Sequence, residues 1–138
     1  MSCGPACVRQ LLLERGIDKT EKEIRKITDF TPDDGTREPS LAAALRTLDN
    51  AGAYHAGCVD PADFEQLVMR APFLVLLKPA SGEHWVIVDG MDGQLVLIRD
   101  PAGMSGDEDD TRGLEGTMKR EVFDELWRLA IHRVVFRG

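Results

Sequence analysis

His84-Trp85-Val86-Ile87-Val88-Asp89-Gly90-Met91-Asp92-Gly93-Gln94-Leu95-Val96-Leu97-Ile98-Arg99-Asp100-Pro101 reads as two strands folded back on one another. The first arm, His84 to Asp89, is rich in β-branched and aromatic residues, which suit a pleated, half-buried surface. The second arm, Gln94 to Arg99, has the same character. Gly90 to Gly93 between them carries Asp92-Gly93, a strong hairpin-turn signal. Pro101 has no N–H to give to a ladder, so Asp100-Pro101 ends the second arm. Just upstream, Phe73 to Lys78 is too short for a buried helix and rich in strand formers. Pro79 to Glu83 turns the chain from that strand into His84. The middle of the chain is therefore an antiparallel sheet.

Helices come before it. Pro5 suits a first helical turn and Gly16 a C-terminal cap, so Gly4-Pro5 opens a helix that runs from Ala6 to Arg15. Cys7, Val8, Leu11 and Leu12 form its apolar stripe. Thr20 and Glu23 make a capping box for a short helix to about Thr28. Thr31 to Pro39 is a polar loop. Ser40 caps a helix from Leu41 to Ala51, stopped by Gly52. Ala53 to Val59 is a short strand, and Asp60-Pro61 starts a helix to about Arg70. Beyond the hairpin, Ala102 to Gly116 is a polar, glycine-rich loop, Glu121 to Leu129 a helix and Ile131 to Phe136 a last strand. Helices first and then mostly antiparallel strands is an α+β pattern.

The 138 residues fit one domain, 1–138, large enough to bury its own core. The apolar runs are too short to span a bilayer. No basic start with an apolar stretch marks a signal peptide, so a cytoplasmic location is the default expectation, with delivery inside a larger secreted protein as the exception. The net charge of −7 disfavours nucleic acid as the main partner. Three cysteines, an odd number, argue against a disulfide framework.

Chemistry concentrates at three positions. Cys3 stands at the head of the first helix, where the positive end of the dipole favours a thiolate. A thiol nucleophile needs a base that also returns the proton to the leaving group. His84 opens a strand and is held on a rigid element. The imidazole in turn needs an orienting group. Asp100 ends the next strand, and a hairpin brings it near His84 whichever register holds. Each residue has an ordinary alternative as a core or surface thiol, a solvated imidazole and a turn aspartate. Their combination points to catalysis.

Ser2-Cys3-Gly4-Pro5-Ala6-Cys7 resembles the D-C-G-x-A-C signature of bacteriocin-processing peptidases, the papain-like domains at the front of some peptide-exporting ABC transporters. Asp34-Gly35-Thr36 followed by Leu41 to Ala44 resembles that family's loop-then-helix segment. Glu83 to Val88 resembles its histidine strand, Ile98 to Gly103 its Asp-Pro-Gly turn, and Glu121 to Trp127 its closing helix. The resemblance implies a papain-like fold with N-terminal helices on a mostly antiparallel sheet. It implies a hydrolase of peptide or protein amide bonds with Cys3 as nucleophile, His84 as base and acid, and Asp100 as orienter. It calls for no cofactor and no metal. Cys7 would be structural, and Trp85 core or cleft wall. Relatives of the wider class include toxins and effectors that cleave or deamidate proteins. That role would add an immunity or inhibitor protein to the peptide or protein substrate as a partner.

In one place the chain departs from the family. Papain-like enzymes usually carry a glutamine shortly before the cysteine, and loss of such an oxyanion donor costs roughly 100- to 1000-fold in rate. Only Met1 and Ser2 precede Cys3, and Gln10, Gln66 and Gln94 lie elsewhere. Three explanations stand: a preceding segment was removed, another donor such as the Cys3 backbone N–H serves, or the domain is a degenerate module that binds a peptide without cleaving it. Two further arrangements compete. Cys3 with Cys7, and His55 with Cys58, could form a zinc site, although Cys7 and Cys58 suit apolar positions and the spacing is not a zinc knuckle. The acidic run Asp107 to Asp110 lacks the glycine and terminal glutamate of a calcium loop and reads as solvated.

Overall fold

The computed structural model describes residues 3–27, 38–49, 52–80, 82–100 and 114–137. In chain order the elements are α1 (Cys3–Glu14), α2 (Glu21–Ile27), α3 (Glu38–Leu48), β1 (Tyr54–Cys58), a 3-10 turn (Pro61–Asp63) leading into α4 (Phe64–Val68), β2 (Phe73–Leu77), β3 (His84–Asp92), β4 (Leu95–Asp100), β5 (Leu114–Lys119), α5 (Arg120–Leu129) and β6 (Arg133–Arg137). The strands form one sheet in the order β1-β6-β2-β3-β4-β5, and every neighbouring pair is antiparallel. This is the α+β arrangement expected from the sequence, with N-terminal helices packed on an antiparallel sheet.

Local chemistry sets the element ends. α1 stops at Gly16, whose φ of 75° is cheap only for a residue without a Cβ. Gly16 N–H bonds to Leu13 O at 3.0 Å and Ile17 N–H to Leu12 O at 2.9 Å, which satisfies the last carbonyls. Thr20 Oγ1 accepts from Glu23 N–H at 3.1 Å and caps α2. Asp60 caps the 3-10 turn through Ala62 N–H at 2.9 Å.

The sheet carries a core on each face. On one face α1, α2 and α3 bring Cys7, Val8, Leu12, Ile24, Leu41 and Leu45 against Leu74, Leu76, Trp85 and Ile87. On the other, α4 and α5 bring Phe64, Leu67, Phe123 and Trp127 against Phe73, Val75, Leu77, Val86 and Val88, with the Phe64 ring against those of Phe73 and Phe123. β2 is buried at all five positions because helices cover both its faces, which is why its sequence does not alternate.

Several expectations change. The sequence reads as loop up to Gly116, but residues 114–119 form β5 and pair along the whole of β4. A glycine at position 116 weakens the strand signal, and only the partner strand supplies the order. β3 runs on to Asp92, so the turn shrinks to Gly93-Gln94, with Gly93 at φ 60° as a two-residue hairpin requires. α3 begins at Glu38 with Ser40 inside it, since Pro39 needs no helical N–H in a first turn. The helix expected to Arg70 is a 3-10 turn followed by a short α4. β6 begins at Arg133 because Ile131 and His132 take left-handed φ values of 55° and 56°. His132 is half-buried, with its ring edge-on to Trp127 at 4.8 Å. Cys58 is exposed, not apolar core. The Asp34-Gly35-Thr36 and Asp107–Asp110 segments lie outside the described residues.

A polar cluster ties α3 to β1. Tyr54 Oη donates to Asp49 Oδ2 at 2.7 Å, and Arg15 Nε pairs with the same oxygen. Burial, followed by the Asp49 hydrogen bond and charge, pushes the phenol up to about 12. A raised phenol pKa favours the neutral form in the folded chain. Its stabilisation is complete below pH about 10 and is lost as pH climbs through about 12. We expect the melting temperature to fall across this window, and to fall less steeply in Tyr54→Phe, as thermal denaturation at stepped pH would record.

Candidate active site

β3 presents His84 at its first position and β4 presents Asp100 at its last. His84 Nε2 and Asp100 Oδ2 lie 2.5 Å apart, and each side chain is 22% exposed. The ladder between the strands explains the meeting. Near the turn Asp92 pairs with Leu95, Met91 with Val96 and Gly90 with Leu97. Further on, Val88 pairs with Ile98 and Ile87 with Arg99, and Asp89 is an extra residue in a β-bulge. A regular ladder continued from the turn would set Asp100 opposite Ile87, on the face covered by α1. The bulge moves it to stand beside Val86, and His84, two residues away, shares that face. Burial confirms the change of parity. Val88 and Met91, three apart, both pack on the α5 side. The sequence expectation that any register would serve is therefore corrected, because a slip of one residue would put the two side chains on opposite faces.

The opposite face holds a charged clamp. Arg99, only 7% exposed, donates Nη2 to Asp89 Oδ1 at 2.7 Å and Nε to Asp89 Oδ2 at 3.2 Å. Its Nη2 also lies 2.8 Å from Glu14 Oε1, in the last turn of α1. Burial works against the charge, but the Asp89 and Glu14 carboxylates outweigh it and raise the Arg99 pKa.

α1 docks at the start of β3. Cys7 is fully buried, and its Sγ donates to the carbonyl of Trp85, the residue after His84, at 3.4 Å. Trp85 is core, at 3% exposed. Cys3 is the first residue of α1, one helical turn before Cys7. Its side chain lies outside the described residues, as does the expected approach of its sulfur to a His84 ring nitrogen.

Beside His84 and Asp100 a cavity of about 350 Å³ is walled by Leu77, Pro79, Val86, Ile98, Met118 and Leu126. Two of these walls, Leu126 and Met118, come from α5 and from the strand that the sequence did not reveal. Gln10 is buried within α1, and Gln66 and Gln94 are exposed. Among the described residues no group of three or more His, Cys, Asp or Glu could hold a metal ion. His55 is exposed and lies against the Phe136 ring at 5.3 Å. No described helix is long and apolar enough to cross a membrane.

Known proteins share this fold. The peptidase domain of Streptococcus ComA, a bi-functional ABC transporter involved in a quorum-sensing pathway, aligns with a TM-score of 0.77 at 19% identity, over 99% of this chain and 90% of that one. A double glycine motif protease from an AMS/PCAT transporter, solved in complex with the leader peptide, aligns at 0.74 and 17% identity, over 99% and 84%. The peptidase domain of Streptococcus mutans ComA aligns at 0.67 and 19% identity, over 100% and 92%. The chain matches no curated protein at a significant level. At these identities the neighbours establish a shared fold, and residues 1–131 match the Peptidase C39 family. The chain belongs to the Peptidase C39 family of cysteine peptidases.

Proposed function

We propose that the chain is a papain-like cysteine hydrolase of peptide amide bonds, working as one domain over residues 1–138 with Cys3, His84 and Asp100 as its triad. The observation that carries the reading is the 2.5 Å contact between His84 Nε2 and Asp100 Oδ2 at the edge of an apolar cavity. The Cys7–Trp85 hydrogen bond supports it, since it anchors the helix headed by Cys3 next to His84.

The chemistry follows from these positions. His84 donates its Nε2 proton to Asp100, which fixes the tautomer and directs Nδ1 to the thiol. Nδ1 takes the Cys3 proton, and the thiolate attacks the scissile carbonyl carbon. The imidazolium then protonates the leaving amine as the C–N bond breaks. A water, deprotonated by the same imidazole, releases the acyl group from sulfur. The Cys3 backbone N–H, at the start of α1 and without an intrahelical acceptor, donates to the developing oxyanion. The apolar cavity takes a hydrophobic substrate side chain. A leader peptide with a double-glycine motif is the first substrate to try, by analogy with the neighbouring transporter protease.

The test uses the cysteines as internal references. Iodoacetamide at pH 6 should label Cys3 well before the exposed Cys58, with the buried Cys7 silent. His84→Ala should bring Cys3 down to the rate of Cys58. Equal labelling of Cys3 and Cys58 in the unaltered protein would reject the hydrolase and leave a peptide-binding module.

A further inference from the structure

We infer that Arg99 is a positioning residue whose bond to the bulged Asp89 locks the β3–β4 register and so places Asp100 against His84. The inference rests on the hydrolase reading for its consequence in turnover, but its geometry stands on the ladder alone.

The clamp can exist only in the bulged register. There, Arg99 pairs with Ile87 across the ladder, and its side chain lies on the α1 face with Asp89 and Glu14. In a regular ladder running from the same turn, Asp89 would stand opposite Ile98 and Arg99 opposite Val88. Neighbouring positions on a strand face opposite ways, so Arg99 and Asp89 would then point to opposite faces. Arg99 would enter the apolar layer with Val86, Val88 and Trp127, away from Glu14. The same slip would carry Asp100 to the α1 face, away from His84. One residue therefore opposes the one misregister that dismantles the His84–Asp100 pair. Burying a guanidinium without its carboxylates is strongly unfavourable, which makes the choice of register sharp. The forked geometry matters as well, because both Asp89 oxygens are held by different nitrogens of one planar group.

The bulge makes an unusual rescue available. Deleting Asp89 leaves Val88 opposite Ile98 and Gly90 opposite Leu97 in an unbroken ladder, with every face unchanged. A chain without the bulge no longer needs the lock. The experiment compares the unaltered chain, Arg99→Leu, and Arg99→Leu with Asp89 deleted. The readout is the NMR signal of the His84 Nε2 proton bonded to Asp100, which does not depend on catalysis. We expect the signal to be lost in Arg99→Leu and regained in the deletion variant. Turnover should fall about 100-fold and recover with it. Should Arg99→Leu fail to fold, recovery of both fold and signal on deletion of Asp89 still supports the lock. Retention of the signal in Arg99→Leu, or failure of the deletion to restore it, overturns the proposal and leaves Arg99 a buried ion-pair partner. A signal that behaves as expected in a protein with no turnover at all would reject the hydrolase reading and leave the lock intact.

Discussion

His84→Ala should lower peptide turnover by at least about 1000-fold while the protein stays folded. General acid–base catalysis typically contributes about 10²- to 10⁴-fold, and in the mechanism proposed above one imidazole serves as base in acylation, acid for the leaving amine and base again in deacylation. The loss should appear in kcat rather than KM, because in the proposed mechanism the imidazole acts on protons in flight and the apolar cavity proposed to seat the substrate is unchanged. The fold should tolerate the change, since the His84 and Asp100 side chains are each 22% exposed and water can replace the imidazole at the carboxylate. Asp100→Asn is the informative companion. It keeps the shape but offers a donor as well as an acceptor to Nε2, so the wrong tautomer becomes available. Its turnover should also fall steeply, on the order of 10⁴-fold where the tautomer fully inverts, as in serine triads. Steady-state kinetics on a leader-type peptide, with circular dichroism for folding, checks both. Turnover of His84→Ala within tenfold of the unaltered chain would remove His84 from the mechanism.

Trp127→Ala should destabilise the domain by about 3–5 kcal/mol, a shift in melting temperature on the order of 10 °C or more. Trp127 is fully buried at the centre of the aromatic cluster under the α5 face. Its ring lies 5.4 Å from Phe64, 5.7 Å from Phe123 and 4.8 Å from His132. Its Nε1–H donates to Arg133 O at 3.2 Å, where α5 turns back into β6. Truncation would leave a large void and remove the hydrogen bond to the Arg133 carbonyl. The neighbouring Leu126 forms part of the cavity beside His84, so activity should fall with stability at elevated temperature. Trp127→Phe keeps most of the volume but not the donor, and should cost clearly less. Chemical denaturation measures both. Equal stability of Trp127→Ala and the unaltered chain would mean that this face contributes far less than its burial implies.

Much of the site is legible as residue type and order. A cysteine at the head of a helix, a histidine opening a strand and an aspartate before a proline each follow from short-range rules of dipoles, strand propensity and ladder termination. Those rules act within a few residues of each position, so one sequence suffices to read them. The same locality explains what stays hidden. The cavity walls at Met118 and Leu126 depend on β5 lying along β4 and on α5 packing across β2. A strand such as Leu-Glu-Gly-Thr-Met-Lys has little strand character until a partner supplies its hydrogen bonds.

The hairpin from His84 to Asp100 divides the two kinds of information most clearly. Its sequence by itself determined two strands, the turn between them and the helices that precede them, because propensity and turn chemistry are properties of neighbouring residues. The sequence also determined that a histidine and an aspartate would lie at the open end of that hairpin. Only the tertiary structure decided that they share a face. The side-chain period of a strand is two, so one extra residue reverses every position beyond it. That extra residue, Asp89, is held in place by Arg99, whose guanidinium also reaches Glu14 on α1. The contact joins residues ten apart along the hairpin to one on a distant helix, and no local rule of the chain contains it.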